Sequence, residues 1–475
     1  MGQLIAGARG AGTGEGDLSG KRAVVVGMAR SGVAAARFLA RRGAHVTCND
    51  RRAEGDLGAA RAELDAAVAA AGPLAGTVEW RCGGHPAEIF RDAELVVVSP
   101  GVPADLPVLH QARAAGASVV GEVELAFRHL RAPLVAITGT NGKSTTTTWA
   151  GDMLQRAGKD VFVGGNLGRP LLEAVDRERP PDVAVAEISS FQMEWVARFR
   201  PQIAALTNLT PDHLDRHGSF EAYRAAKLRV FARQRGGDAA ITPFGFEDHF
   251  VESDQDHFRF RLGDKVRPGA SAQGGEIWLL GMPRTEAERY DARSVRLPGA
   301  HNLENALVAV LCARLAGAPA DAVARSLAEF GGLEHRLELC GEIDGVRWFN
   351  DSKATNVDST VIALRSFEAP LVWIAGGRGK GAPYAPIVEL LGGGRVRAAL
   401  LIGEAADEIA AAVGVAAPVE RMGDLGRAVA RARQVARPGD VVLLSPACAS
   451  YDQFNNFEER GRRFRELVRA LRTVS

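Results

Sequence analysis

The strongest constraint on this chain is a rhythm: short β-branched runs recur between alanine-rich segments of helical periodicity along most of its 475 residues. Neighbouring parallel strands need a crossover long enough to hold a helix, so this alternation specifies parallel sheets covered by helices. Three series can be separated. The first opens with "KRAVVVG", passes through "GAHVTCND" and "AELVVVSPG", and ends near Leu130. The second starts at "APLVAITGT", continues through "PDVAVAEIS" and "RPQIAALTNL", and closes with the helix-like "HNLENALVAVLCARLAG". Between about Asp238 and Pro298 it changes to short strand-like pieces ("FRFRL", "EIWLL", "SVRLPG"), which predict an antiparallel extension. The third runs from "VRWFNDS" through "PLVWIAGG", "VRAALLIG" and "DVVLLSP" to a charged final helix. The expected class is therefore α/β with three domains at 17–130, 131–332 and 333–475, preceded by a glycine-rich lead at 1–16 expected to be disordered. Gly331-Gly332 marks a plausible hinge.

Composition excludes several functions. Lys plus Arg (58) nearly cancels Asp plus Glu (57), which leaves no electrostatic footprint for nucleic acid, so an anionic ligand must be captured locally. The five cysteines are scattered without a CxxC pair, which fits reduced thiols and argues against a disulfide framework or zinc site. No apolar run approaches the ~18 residues of a membrane span, and the first residues lack the features of a secretory signal. A cytoplasmic monomer acting on small molecules, without membrane insertion, is the expectation.

"LVAITGTNGKST" carries the clearest chemistry. An apolar strand, Leu134–Ile137, empties into a glycine turn from Gly139 to Ser144 before a helix. The loop is shorter than a Walker A motif, with Ile137 where that motif needs glycine. Its physics survives, because main-chain N–H groups of Gly139, Thr140, Asn141 and Gly142 and the helix N-terminus favour an anion. Lys143 adds a charge for the β and γ oxygens of a nucleotide, and Ser144 or Thr145 offers a hydroxyl to Mg²⁺. In "AEISSFQ", Glu187 ends a strand, a common place for a hard oxygen ligand. "NLTPDHLDRHGSFEAYRAAKLRVF" follows another strand end and brings Asp212, His213, Asp215 and Lys227 into one neighbourhood. Alone, His213 and Lys227 would pass for ordinary surface residues.

The loop "TGTNGKST" resembles that of the Mur ligases and of the folylpolyglutamate synthases, both of which join an amino acid to a carboxylate through an acyl phosphate. The Glu187 and His213 blocks resemble Mur ligase motifs closely. The resemblance implies ATP and two Mg²⁺ ions, with Ser144, Glu187 and His213 as metal ligands, and Lys227 a further one as a carbamate. It places Asn302 and Asn305 against the nucleotide, and has Arg336 and Asp351 reach ATP from the third domain, so that catalysis requires that domain to close.

In the first series, GxGxxG appears as Gly27-Met28-Ala29-Arg30-Ser31-Gly32, with Ala29 in place of the glycine that lets backbone approach a pyrophosphate. The fingerprint argues for a Rossmann-like strand, turn and helix more than for a dehydrogenase. In the D-glutamate-adding branch of the Mur ligases the matching loop, here with Ser31, holds the uridine diphosphate of the acceptor. Asp50 and Arg52 match positions contacting uracil, although Arg51 stands where threonine is common. Ser99, Gly101, Asn166, Ser189 and Gln192 match residues along the rest of the acceptor.

The third series resembles the same branch through "NDSKATN", "GGRGKG" and "SPACASYDQFNNFEERG". Two carboxylates of D-glutamate suit two lysines and hydroxyl donors; by resemblance these are Lys353, Thr355, Lys380 and Ser450, with Phe457 beside them. Arg378 and Pro383 depart from the acidic residues common there. The implied reaction joins D-glutamate to UDP-N-acetylmuramoyl-L-alanine at the expense of ATP, with Lys143, Glu187, His213 and Lys227 at its centre and His213 a candidate base for the amine. Three alternatives stand beside it: a folylpolyglutamate synthase, an NAD-dependent dehydrogenase with an added ATPase domain, and a nucleotide-switched binding protein without ligase activity.

Overall fold

The computed structural model describes residues 17–72, 75–246, 254–283, 285–379 and 381–471. The expected disorder of 1–16 therefore lies outside the described residues. Two compact units form: one from the chain up to Ser294 with Glu304–Ala328, the other from Val295–Leu303 and the chain from Glu329 onward.

The first unit holds two sheets. Strands β1 (Arg22–Val26), β2 (His45–Asp50), β3 (Val78–Cys82), β4 (Leu95–Val98) and β5 (Ser118–Gly121) pair in parallel in the order β3-β2-β1-β4-β5. All four residues of β4 are buried, the near-continuous apolar run of a strand covered on both faces. The second sheet has nine strands: β6 (Leu134–Thr138), β7 (Val161–Gly165), β8 (Val183–Glu187), β9 (Ile203–Leu206), β10 (Ala239–Pro243), β11 (Asp256–Leu262), β12 (Gly269–Gln273), β13 (Glu276–Met282) and β14 (Thr285–Asp291). Its order is β14-β13-β12-β11-β10-β9-β6-β8-β7. The extension is mixed: β11 and β12 join in parallel, and only the β12–β13 and β13–β14 pairs are antiparallel.

The second unit is built on β15 (Glu338–Ile343), β16 (Val346–Asn350), β17 (Leu371–Gly376), β18 (Val396–Ile402), β19 (Val419–Gly423) and β20 (Val441–Leu444), in the order β15-β16-β20-β17-β18-β19. The edge pair β15–β16 is antiparallel and the rest parallel. Two-residue turns, Gly274-Gly275 and Asp344-Gly345, close the β12–β13 and β15–β16 hairpins, and all four residues have positive φ. Such turns match the twist of paired strands and favour glycine or aspartate.

Within the first unit the two sheets share one apolar core that runs from Val25 and Phe38 to Phe162 and Phe231. The helix Glu122–His129 is the seam. Glu124, fully buried, accepts main-chain N–H bonds from Ala197, Arg198 and Phe199 at 3.0–3.1 Å and a guanidinium bond from Arg128 at 2.9 Å. Glu122 accepts the N–H of Leu172 at 2.6 Å, and burial raises its carboxyl to about 7. Phe127 meets Phe199 edge-on at 5.6 Å. Among the described residues, no helix is long and apolar enough to cross a membrane.

Removing one partner of a buried, hydrogen-bonded charge strands the others, a loss of about 3 kcal/mol or more. Glu124→Ala is therefore expected to lower the first thermal unfolding transition by several degrees, measured by calorimetry, whereas Glu63→Ala, at an exposed ion pair, leaves it within about one degree.

Candidate functional site

The strand, glycine turn and helix of the loop form as the sequence predicts, but the N–H groups of Thr140 and Asn141 donate to Asn208 O and Oδ1 at 3.0 and 2.9 Å rather than facing an anion. β6 ends at Thr138, and the helix Lys143–Arg156 starts on Gly142, which has φ +81° as its N-cap. A side chain at Gly142 would put its Cβ 2.1 Å from Asn305 Oδ1, so both the conformation and the close approach require glycine. The first turn of that helix presents N–H groups that have no intrahelical acceptor. Neighbouring strand ends buttress the loop: Thr207 Oγ1 donates to Asn141 O at 2.6 Å, and Asn208 both accepts from Asn141 N–H and donates to Asn141 O. Lys143 Nζ donates to Thr140 O at 2.7 Å. Ser144 and Thr145 are buried, and Thr146 Oγ1 donates to Asn305 Oδ1 at 3.3 Å.

Lys227 lies against the same loop, its Nζ donating to Gly139 O at 2.7 Å and standing 4.7 Å from the Tyr223 ring. It is 2% exposed. Burial pushes its amine down to about 7, aided by the charge of Lys143 and opposed by Asp212 and Glu187. Those four side chains therefore share one electrostatic neighbourhood. Glu187 is buried at the end of β8, and its Oε1 accepts from Asn166 Nδ2 at 2.7 Å. His213 has φ +52° and stacks tilted on Phe191 at 4.9 Å, with Tyr223 at 6.3 Å.

These groups suit Mg²⁺ held through a nucleotide. The donors are a carboxylate, a hydroxyl and an imidazole around an anion-binding loop, and no cluster of three His, Cys, Asp or Glu that could hold a metal occurs among the described residues. Mg²⁺ keeps its waters and binds through one or two carboxylates plus phosphates more readily than in an all-protein cage.

A cavity of about 530 Å³ opens in the same unit, and Ser31, Asp50, Arg52, Ser99, Gly101, Asn166 and Gln192 all line it. Ser189 stands behind it, capping the short helix that carries Gln192 in a reciprocal capping box. Asp50 accepts from Met28 N–H at 2.7 Å and from the main chain and guanidinium of Arg52 at 2.9–3.1 Å. Burial alone would raise its pKa, but these bonds hold the carboxyl well below the usual range. The pair leaves the other guanidinium edge of Arg52 as a fixed donor at the rim.

In the second unit, Lys353 Nζ stands 5.3 Å from the centre of the Phe457 ring. Ser450 is buried, and the Thr355 N–H donates to Lys353 O at 2.8 Å. Lys380 lies outside the described residues. Arg378 forms a two-pronged pair with Glu404 at 2.9 Å for both bonds. Asp351 accepts from Ser445 Oγ and Leu337 N–H, with burial raising its carboxyl to about 7. Asn302 donates its side-chain amide to Pro298 O at 2.7 Å, and Arg336 is half-buried just before β15.

Several participants escaped the sequence reading. Tyr223 joins Lys227 and Thr140, whose hydroxyl it meets at 3.0 Å; its i, i+4 spacing from Lys227 was the available signal. His85 and Arg30 line the cavity. Arg460 is 1% exposed and donates to Ser352 Oγ and to the carbonyls of Ser352, Cys448, Ala449 and Gly376 at 2.9–3.4 Å. It thus ties together the three segments that carry Lys353, Ser450 and the Gly376–Gly381 loop.

Residues 21–121 match the family model "Mur ligase MurD-like, N-terminal domain", 137–313 the "Mur ligase middle domain" and 335–448 the "Mur ligase, glutamate ligase domain". The UDP-N-acetylmuramoylalanine–D-glutamate ligase of Anaeromyxobacter dehalogenans is 52% identical over 95% of this chain and 98% of its own length. The enzyme of the same name from Myxococcus xanthus is 47% identical over 96% and 99%. A solved UDP-N-acetylmuramate–alanine ligase of Thermotoga maritima shares the fold at a TM-score of 0.53 and 19% identity, covering 94% of this chain and 99% of that one. The chain belongs to the Mur ligase family, whose members use ATP, typically with Mg²⁺.

Asp50→Asn removes the charge from four hydrogen bonds and is expected to cost about 2 kcal/mol at neutral pH. Because the folded carboxyl titrates below its unfolded value, its contribution is complete above the unfolded pKa and lost as pH falls. Chemical denaturation should show a constant deficit from about pH 8 to 5 that shrinks only below about pH 4.

Proposed function

We propose that this protein joins D-glutamate to UDP-N-acetylmuramoyl-L-alanine with cleavage of ATP to ADP and phosphate, acting as a cytoplasmic monomer in peptidoglycan precursor synthesis. The names of relatives 52% and 47% identical over nearly the whole chain support this reading. The observation that carries it is the Asn166–Glu187 hydrogen bond of 2.7 Å. It joins a wall of the 530 Å³ cavity to a carboxylate in the neighbourhood of the phosphate loop, so an acceptor in that cavity can present its free carboxylate to the nucleotide.

The acceptor carboxylate attacks the γ-phosphorus, the bond to the β-phosphate oxygen breaks, and ADP leaves an acyl phosphate. The D-glutamate amine then attacks the acyl carbon, phosphate departs, and the amine gives up a proton. N–H groups in the first turn of the helix Lys143–Arg156, together with the Lys143 side chain, stabilise charge on the transferring phosphoryl group, where positioning and electrostatics supply most of the acceleration. Two Mg²⁺ ions, held by Ser144, Glu187, His213 and a carbamylated Lys227, would neutralise phosphate charge and orient the oxygens. Asn302, Asn305, Arg336 and Asp351 serve the nucleotide, and His213 is a candidate base. Ser31, Asp50, Arg52, Ser99, Gly101, Ser189 and Gln192 hold the acceptor. Lys353, Thr355, Lys380, Ser450 and Phe457 hold the amino acid.

Phosphate release should require acceptor and D-glutamate together, with L-glutamate, L-alanine and diaminopimelate inactive; ATP consumption indifferent to the acceptor overturns the reading. Lys143→Ala is expected to lower kcat by about a thousandfold or more.

Only a neutral amine attacks carbon dioxide, forming the N–C bond of a carbamate and releasing a proton to solvent, and the depressed pKa of Lys227 keeps a large neutral fraction near pH 7.5. Enzyme equilibrated with ¹³C-bicarbonate should show one carbamate carbon resonance that is missing from Lys227→Ala. A spectrum identical for the two proteins rules the carbamate out.

A further inference from the structure

A second cavity, of about 650 Å³, lies in the first unit away from the phosphate loop and the acceptor cavity. Its walls come from β5, from the helices Pro107–Ala114 and Glu122–His129, from the segment 194–199 and from the turn that follows the helix Phe220–Leu228. Four arginines face it: Arg113, Arg128, Arg229 and Arg233.

Charge in this cavity is unbalanced. Among its described lining residues the acidic side chain is Glu194, and that carboxylate is engaged by Arg216 at 2.7 Å. Arg128 is matched by the buried Glu124. Arg229 donates to two main-chain carbonyls, Glu194 O at 3.1 Å and Val196 O at 3.0 Å, and Arg113 to Val119 O at 3.5 Å. Burial, and after it the neighbouring charge of Arg113, push the Arg229 pKa down, opposed by Glu194 and Glu124, whose carboxylates are already engaged by Arg216 and Arg128. Trp195 also lines the cavity, with the Arg113 guanidinium 5.4 Å from its ring centre, so that arginine is held at the wall by an aromatic face rather than by a carboxylate.

We propose that this cavity is a binding site for a small multivalent anion bearing two or more phosphate or carboxylate groups. Guanidinium groups contributed by separate segments of the lining match such groups with charge-assisted hydrogen bonds. Arg113 stands on the helix before β5, whereas Arg229 and Arg233 follow Lys227 in the chain. A bound anion therefore spans the seam between the two sheets of the first unit. Its volume accommodates several heavy-atom groups rather than one chloride ion.

The test is calorimetric titration of the full chain with inorganic pyrophosphate at about 0.15 M salt, with ADP and uridine diphosphate saturating the other anion sites. The expected result is one pyrophosphate bound per chain, with affinity weakened by about tenfold or more in the Arg113→Ala/Arg233→Ala variant, as for loss of paired charge-assisted bonds. A parallel titration with tricarballylate separates the sources: tighter pyrophosphate assigns phosphate ligands, tighter tricarballylate assigns carboxylates. Equal affinity in wild type and variant, or no binding of either probe, overturns the proposal. Should the double variant fail to fold, Arg233→Gln, at an exposed position, must weaken binding by about threefold or more.

Discussion

Two lysine amines are drawn onto consecutive carbonyls of one loop, Lys143 onto Thr140 and Lys227 onto Gly139, and the packing of the first unit holds them there. Burial strips water from Lys227 and, with the smaller repulsion of Lys143, lowers its pKa. The arrangement is tolerable because the loop carbonyls accept from both amines and Asp212 and Glu187 oppose their charge. The buttresses Thr207, Asn208, Tyr223 and Asn305 keep the loop in the shape that places both amines.

The seam around Glu122 and Glu124 fixes the position of the first sheet relative to that loop. Had the first sheet been tethered by a flexible linker, the cavity lined by Asp50 and Ser99 would hold no fixed position relative to Glu187. Instead the helix Glu122–His129 buries both carboxylates against main-chain N–H groups of the second sheet's connections. Asn166, which lines the cavity and bonds Glu187, is then a fixed point between two binding regions.

Most of the architecture was legible because parallel strands buried on both faces write themselves as short apolar runs, as β4 and β6 do. The extension was harder. β11 and β12 have alternating or small residues that suit either pairing direction, and only the Gly274-Gly275 turn identifies a hairpin. The phosphate loop was readable because its chemistry is local, six residues dictating a backbone. Arg460 was not, since nothing in "FEERGRR" distinguishes the arginine that turns inward from those that face water; its role depends on carbonyls from Gly376 to Ala449 brought to it by folding. Trp195 escaped for the same reason, its contact with Arg113 being a property of the surroundings.

Arg460 also limits how this protein can change. Because one guanidinium fastens the loops after β16, β17 and β20, no single loop can be lengthened or exchanged without disturbing the anchorage of the other two. Substitutions in these loops must therefore be compatible with one another as a block, which makes inheritance of the whole cassette an easier evolutionary path than change in one loop at a time.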